Sequence, residues 1–272
     1  MKILFIGDIV GKPGRKAVKE LLPKLIGDRQ IDLVIANCEN AAAGFGVTRD
    51  IVEELYESHI DVLTSGNHIW DKKEIMEFIG DYETLLRPAN YPAKVPGSGA
   101  VTLPTAAGEY VGVLNVAGRI FMQPIDCPFQ RAKSEIAELR KKTKVIIVDI
   151  HAEATSEKKA LGWYLDGEVS AVLGTHTHVQ TADDEILPGG TAYLSDVGMT
   201  GPFDSVIGVK KDVIIERFLT GVPNKFDTAK GDVRLQAVLL DIDPATGKAN
   251  SLERISVKLK EKAEAGEDEK RL

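Results

Sequence analysis

The chain has 272 residues, of which 43% are hydrophobic and 28% charged, and its formal net charge is -7. Length and apolar content suit one large or two small globular domains. The acidic balance excludes a duplex nucleic-acid binder that relies on a broad basic surface, while leaving room for a small phosphate ligand held by metals.

Strand-like apolar runs alternate with amphipathic segments along the chain. KILFIGD is the first predicted strand, and residues 14–26 form a helix with Ala17, Val18, Leu21, Leu22 and Leu25 on one side. DLVIANCEN is the second strand. RDIVEELYES is a helix in reach of a cap from Thr48, without the acidic residue of a capping box at position 51. DVLTSGNH is the third strand, and a short helix covers residues 72–79. AVTLP and YVGVLNVAG read as a strand pair, followed by a helix over 128–142, the buried strand KVIIVDIH, a helix over 156–165 and then SAVLGTHTH. TAYLSDVGMTG, a helix over 210–219, the alternating strand VRLQAVLLDID, a turn at DPATGK and LERISVKLK complete the pattern. Continuous apolar strands between helices imply a layered α/β fold, and the later alternating strands make its sheets mixed. The expected architecture is two packed mixed sheets flanked by helices, as one domain over residues 1–260. Residues 261–272, charged and poor in large apolar groups, read as a tail.

Cys38 and Cys127 exclude a disulfide framework or a cysteine zinc site and fit a reducing compartment. No run reaches the ~20 apolar residues of a membrane span. Gly7 and Asp8 interrupt the apolar run after Lys2 that a signal peptide would need. The expectation is a soluble cytoplasmic protein without a membrane partner. Trp70, Phe121 and Trp163 are candidates either for the core or for the surface of a homo-oligomer.

The strands end alike. Asp8 closes the first, Glu39 and Asn40 the second, Asn67 and His68 the third, and His151, His176 and His178 close two later ones. Ligand sites of α/β sheets collect beyond the carboxyl ends of strands. Of five histidines, only His59 sits at a helix end, where ordinary capping explains it. Imidazole, carboxylate and amide oxygen together suit Mn, Fe or Zn. Asp8, Glu39, Asn40, Asn67, His151, His176 and His178 are too many ligands for one tetrahedral ion, and a carboxylate bridging two metals uses them all. Two such ions can bind and activate a phosphate ester. His68, spare beside Asn67, is placed to protonate a leaving oxygen. GDIVGKPG lacks the spacer of a phosphate loop and has proline where Ser or Thr would hold magnesium. AAAGFGVT, directly after Glu39-Asn40, reads equally as a flexible turn or an active-site loop. Asp149 and Asp196 read equally as supporting groups or loop residues.

This pattern resembles the calcineurin-like metallophosphoesterases: Asp at the first strand end, an acid after the second, Gly66-Asn67-His68 after the third, a later His, then Gly174-Thr175-His176-Thr177-His178. FIGDIVGKPGR, NCENAAAGFG, SGNHIWD and LGTHTHVQTAD are similar to the YmdB-like phosphodiesterase branch over essentially the whole chain. The resemblance implies a four-layer α/β/β/α sandwich. It implies Asp8 and His178 on a first metal, Asn67, His151 and His176 on a second, Glu39 bridging, and His68 as general acid. Val10 stands where the superfamily has a histidine ligand, and Asn40 is the implied replacement. The implied activity is hydrolysis of cyclic nucleotides, notably 2′,3′-cyclic nucleoside monophosphates, by a metal-bound hydroxide with iron or manganese. Competing expectations are another dimetal phosphoesterase such as a nucleotidase or protein phosphatase, a metal-dependent amidohydrolase, and a metal-binding regulator with little catalysis.

Overall fold

Both faces of the first strand, β1 (Lys2–Ile6), are covered, and its alternating side chains meet different partners. Leu4 and Ile6 pack with Ala17, Val18 and Leu22 of α1 (Gly11–Arg29). Ile3 and Phe5 face the other way, into a cluster with Val113, Ile147 and Leu173. A strand with a helix on one face and a second sheet on the other reads as an unbroken apolar run, because both of its faces are interior. The structure, a computed structural model, describes residues 1–260, so the segment expected as a charged tail, 261–272, lies outside the described residues.

Between β1 and α1 lies the two-residue strand β2 (Asp8–Ile9). β3 (Leu33–Asn37), α2 (Arg49–Glu57), β4 (Val62–Thr64) and the single turn α3 (Ile75–Phe78) follow. The antiparallel pair β5 (Ala100–Pro104) and β6 (Tyr110–Ala117) leads to α4 (Pro128–Leu139), β7 (Val145–His151), α5 (Thr155–Tyr164) and β8 (Ala171–Thr175). The described order closes with β9 (Glu185–Ile186), β10 (Ala192–Leu194), β11 (Met199–Pro202), α6 (Lys211–Thr220), β12 (Val233–Ile242) and β13 (Ala249–Lys258).

One sheet runs β2-β11-β12-β1-β3-β4, with β13 also paired to β12, and the other runs β5-β6-β7-β8-β10-β9. β1, β3 and β4 are parallel in the first, against antiparallel β12. β6, β7, β8 and β10 are parallel in the second, with antiparallel strands at both edges. Leu114, Ile146, Val148 and Val172 cover the outer face of the second sheet, against Ala132 and Ile136 of α4 and Leu161 of α5. The layers are therefore helix, sheet, sheet, helix, as the sequence led us to expect.

Three local details differ from the sequence reading. α1 begins at Gly11 and α4 ends at Leu139, both within a turn of the expected limits. Thr48 sits at the N-cap of α2 but makes no side-chain capping bond. TAYLSDVGMTG is two strands: β10 belongs to the second sheet and β11 to the first. The chain crosses between sheets at residues 195–198, where Gly198 has φ 89° and a Cβ would collide with Gln236. Trp70 packs against the core, edge-on to Tyr91, whereas Phe121 and Trp163 are exposed. Among the described residues, no helix is long and apolar enough to cross a membrane.

Candidate metal centre

The ends of the parallel strands bring the expected side chains to one place. Asp8, in β2, is fully buried, and so are Glu39 just beyond β3 and His151 at the end of β7. Asn67 and His68 follow β4, and His176 and His178 follow β8. Gly66, before Asn67, leaves no room for a side chain: a Cβ there would collide with the His151 ring and the Glu39 carboxylate. His176 and His178 have φ 100° and 62°, unusual for non-glycine residues and the kind of local strain that a surrounding structure must hold in place. Asp196 holds it. Its carboxylate accepts the Thr177 backbone N–H at 3.0 Å, the Thr177 hydroxyl at 2.7 Å and the Lys158 ammonium at 2.8 Å, the last a buried ion pair.

Each imidazole is oriented by the partner behind it. Thr175 Oγ1 donates to Asp149 Oδ1 at 2.7 Å, which leaves the hydroxyl as acceptor for His151 Nδ1–H at 2.9 Å. Asp149 also accepts Thr64 Oγ1 at 2.6 Å and Asn37 Nδ2 at 3.2 Å. His176 Nε2 lies 3.1 Å from Glu153 Oε2, and His178 Nδ1 donates to the Ile207 carbonyl at 2.9 Å. Acceptors behind the rings place the lone pairs of His151 Nε2, His176 Nδ1 and His178 Nε2 inward. His151 Nε2 then faces Glu39 Oε1 at 3.0 Å, Asn67 Oδ1 at 3.1 Å and His176 Nδ1 at 3.1 Å. His178 Nε2 faces Asn40 Oδ1 at 3.2 Å, the amide being fixed by Nδ2 donating to the Gly44 carbonyl at 2.9 Å.

Acceptor atoms turned toward one another in a buried space repel unless positive charge lies among them. Asp8 Oδ1 and Glu39 Oε1 are buried with no hydrogen-bond partner, and donor atoms of Glu39, His151 and His176 lie within 4.8 Å of one another. Electrostatics agree. Burial opposes charge on His151, but Glu39, Asp8 and Asp149 outweigh it and push the imidazole up to about 9. Burial likewise opposes ionisation of Glu39, yet His151 and His68 hold it at about 2. Burial raises Asp8 and Asp149, the latter to about 6, and burial together with His151 brings His176 down to about 3. A potential able to hold positive charge at His151 is one that a divalent cation answers while the imidazoles stay neutral. The donor set fits such an ion.

His68 stands apart from the inward lone pairs. Its Nδ1 donates to Asp71 Oδ2 at 2.8 Å, and its backbone N–H donates to Glu39 Oε2 at 3.0 Å. It lines a cleft of about 400 Å³ together with Asn40, Gly44, Phe45, His176 and His178. The glycine-rich loop after Asn40 is thus a wall of the cleft, and Val10 lines it too. Sequence reasoning missed Glu153 and Asp71. Asp71 lies three residues beyond His68, the ring it meets, and that spacing is a usable signal, whereas Glu153 meets His176 from far along the chain. The Ile207 carbonyl is a backbone acceptor and has no signature in the sequence.

A family model described as YmdB-like protein matches residues 4–255. The chain is 53% identical over 257 residues to a 2′,3′-cyclic-nucleotide 2′-phosphodiesterase of Bacillus subtilis, covering 94% of this chain and 97% of that one. Among solved structures it is similar to a hypothetical protein from Thermus thermophilus, at 45% identity and a TM-score of 0.89, covering 95% and 99% of the two chains. It is similar to a novel phosphatase from Mycoplasma pneumoniae at 35% identity and a TM-score of 0.89, covering 95% and 93%.

Proposed function

The chain belongs to the YmdB-like family, and from that premise we propose that it is a metal-dependent phosphodiesterase acting on 2′,3′-cyclic nucleoside monophosphates. The observation that supports this best is the inward convergence of three imidazole lone pairs on buried carboxylate and amide oxygens. Asp8, Asn40 and His178 would hold one ion, Asn67, His151 and His176 another, and Glu39 would serve both. Iron or manganese suits this mixture of nitrogen and oxygen donors, with zinc as a further candidate. The chemistry such ions supply is charge neutralisation at the phosphoryl oxygens and activation of a water.

The protein's own groups do the rest. Hydrolysis adds a water oxygen to phosphorus, breaks one ribose ester bond of the cyclic phosphate, and requires a proton on the departing oxygen. His68 would supply it in its doubly protonated form: Asp71 accepts the Nδ1 proton, and the Nε2 proton of a ring that lines the cleft passes to the departing oxygen, leaving the ring neutral. The relative's name assigns the broken bond to the 2′ position, which yields a nucleoside 3′-phosphate and a free 2′-hydroxyl. Residues 1–260 act as one catalytic domain, since one sheet carries the oxygen donors and the other the nitrogens. Cys38 and Cys127 are free, in keeping with a reducing, cytoplasmic setting.

The test is a side-by-side assay of the manganese- or iron-loaded protein on 2′,3′-cyclic AMP and on p-nitrophenyl phosphate. Faster turnover of the cyclic diester is expected. Much faster turnover of the monoester would point instead to a nucleotidase or protein phosphatase with the same centre.

A further inference from the structure

The cleft has two chemically distinct ends. Glu39, Asn40, His68, His176 and His178 make the polar end, and Phe45, Ile207, Val209 and Phe226 make the other. We propose that Phe45 and Phe226 form the platform against which the substrate's nucleobase stacks. This rests on the phosphodiesterase reading above and extends it to how the substrate is selected.

The two rings come from separate segments, the loop after Asn40 and the stretch after α6, yet they lie nearly parallel, 16° apart with centroids 6.4 Å from each other. That is the long end of the range for stacked rings, so much of each face is left uncovered by the other. Both are only partly buried, and Arg217 sits over the Phe226 ring at 4.8 Å, which orients it. Phe45 also meets the His68 ring edge-on at 5.1 Å. The platform therefore begins where the proton for the departing oxygen is held.

That contact decides the side on which the base lies. In a cyclic nucleotide the departing oxygen stays attached to the ribose, so the nucleoside must lie on the His68 side of phosphorus. A second depression of about 310 Å³ lies beside Asn67 and His176, lined by Phe121, Met122 and Gln123, but His68 does not line it. Asp227, which follows Phe226 and also lines the cleft, is already paired with Lys210 at 3.1 Å. Recognition by ring faces is tolerant of base identity.

The experiment is equilibrium binding of adenosine 3′-monophosphate and base-free ribose 3-phosphate to the manganese-loaded protein. Wild type should prefer the nucleotide. Phe226→Ala should cut that preference about tenfold, as expected for loss of one stacking partner, whereas Phe226→Trp should keep it. Phe121→Ala should leave the preference intact. Equal affinity for the two ligands in wild type, or a preference undisturbed in Phe226→Ala, would overturn the platform. So would a preference lost in Phe121→Ala, which would move the base to the second depression. Because the readout is binding, the two readings separate. A base preference without hydrolysis of 2′,3′-cyclic AMP refutes the activity and upholds the platform, and hydrolysis without a base preference does the reverse.

Discussion

The two sheets bring different atoms to the candidate centre. The first supplies oxygens, from Asp8, Glu39, Asn40 and Asn67 at the ends of β1 through β4. The second supplies nitrogens, from His151, His176 and His178 at the ends of β7 and β8. Neither sheet holds a centre alone. The candidate centre lies where the sheets are docked, so the cluster of Phe5, Ile35, Val113 and Ile147 between them is part of the architecture of the site. Support differs as well. His151 is backed by a buried side-chain chain through Thr175 and Asp149, whereas His178 and Asn40 are backed by main-chain carbonyls. A single side-chain substitution can therefore remove the support behind His151, whereas the support behind His178 and Asn40 is main chain.

The largest effect should come from chelation, which removes what the two sets of donors share. Hydrolysis should fall to background and return with manganese or iron. Thermal unfolding should also register a stability loss of about 2.7 kcal/mol if the free ion had stood at about 100 times its Kd. Activity surviving exhaustive chelation would break the pairing of oxygens and nitrogens as the working unit. Next is His68→Ala, which lies on the oxygen-bearing sheet but points no lone pair inward. Turnover should drop by about 10²–10⁴-fold with metal content unchanged; an undiminished rate would remove His68 from the mechanism. Asn40→Ala should then lower affinity at the site shared with Asp8 and His178 by about 100-fold, near the top of the range known for supporting groups. Metal analysis showing equal loss at both sites would contradict the division into halves. The smallest change is expected for Thr175→Val, which keeps the shape but frees His151 Nδ1: about tenfold weaker binding, confined to the site with Asn67 and His176. A matching loss on the His178 side would show the halves to be mechanically joined.

Most of the converging side chains were legible because buried strands are apolar and their ends are not. Asp8, Glu39, Asn67, His151 and His176 each interrupt such a run at its carboxyl end, and the shared direction of parallel strands does the rest. Val10 was informative as a missing histidine, and the structure sets Asn40 Oδ1 opposite His178. The supporting groups were harder to read. Thr175 stands in the last motif without a role of its own in the sequence reading, yet it is the link that orients His151. Its role depends on Asp149 lying behind it in the neighbouring strand, a relation set by register. Glu153 is a loop residue whose partner is distant in sequence. The division of TAYLSDVGMTG between two sheets was hidden because a strand run carries no mark of the sheet it joins. Only the crossing glycine hints at it.

The most direct test of the central claim is anomalous scattering from crystals of the protein prepared with manganese or iron. The account predicts two ions in each chain, one among Glu39, Asn67, His151 and His176 and the other among Asp8, Glu39, Asn40 and His178. A single ion that leaves either group of donors without a ligand, or ions bound away from these residues, would contradict it.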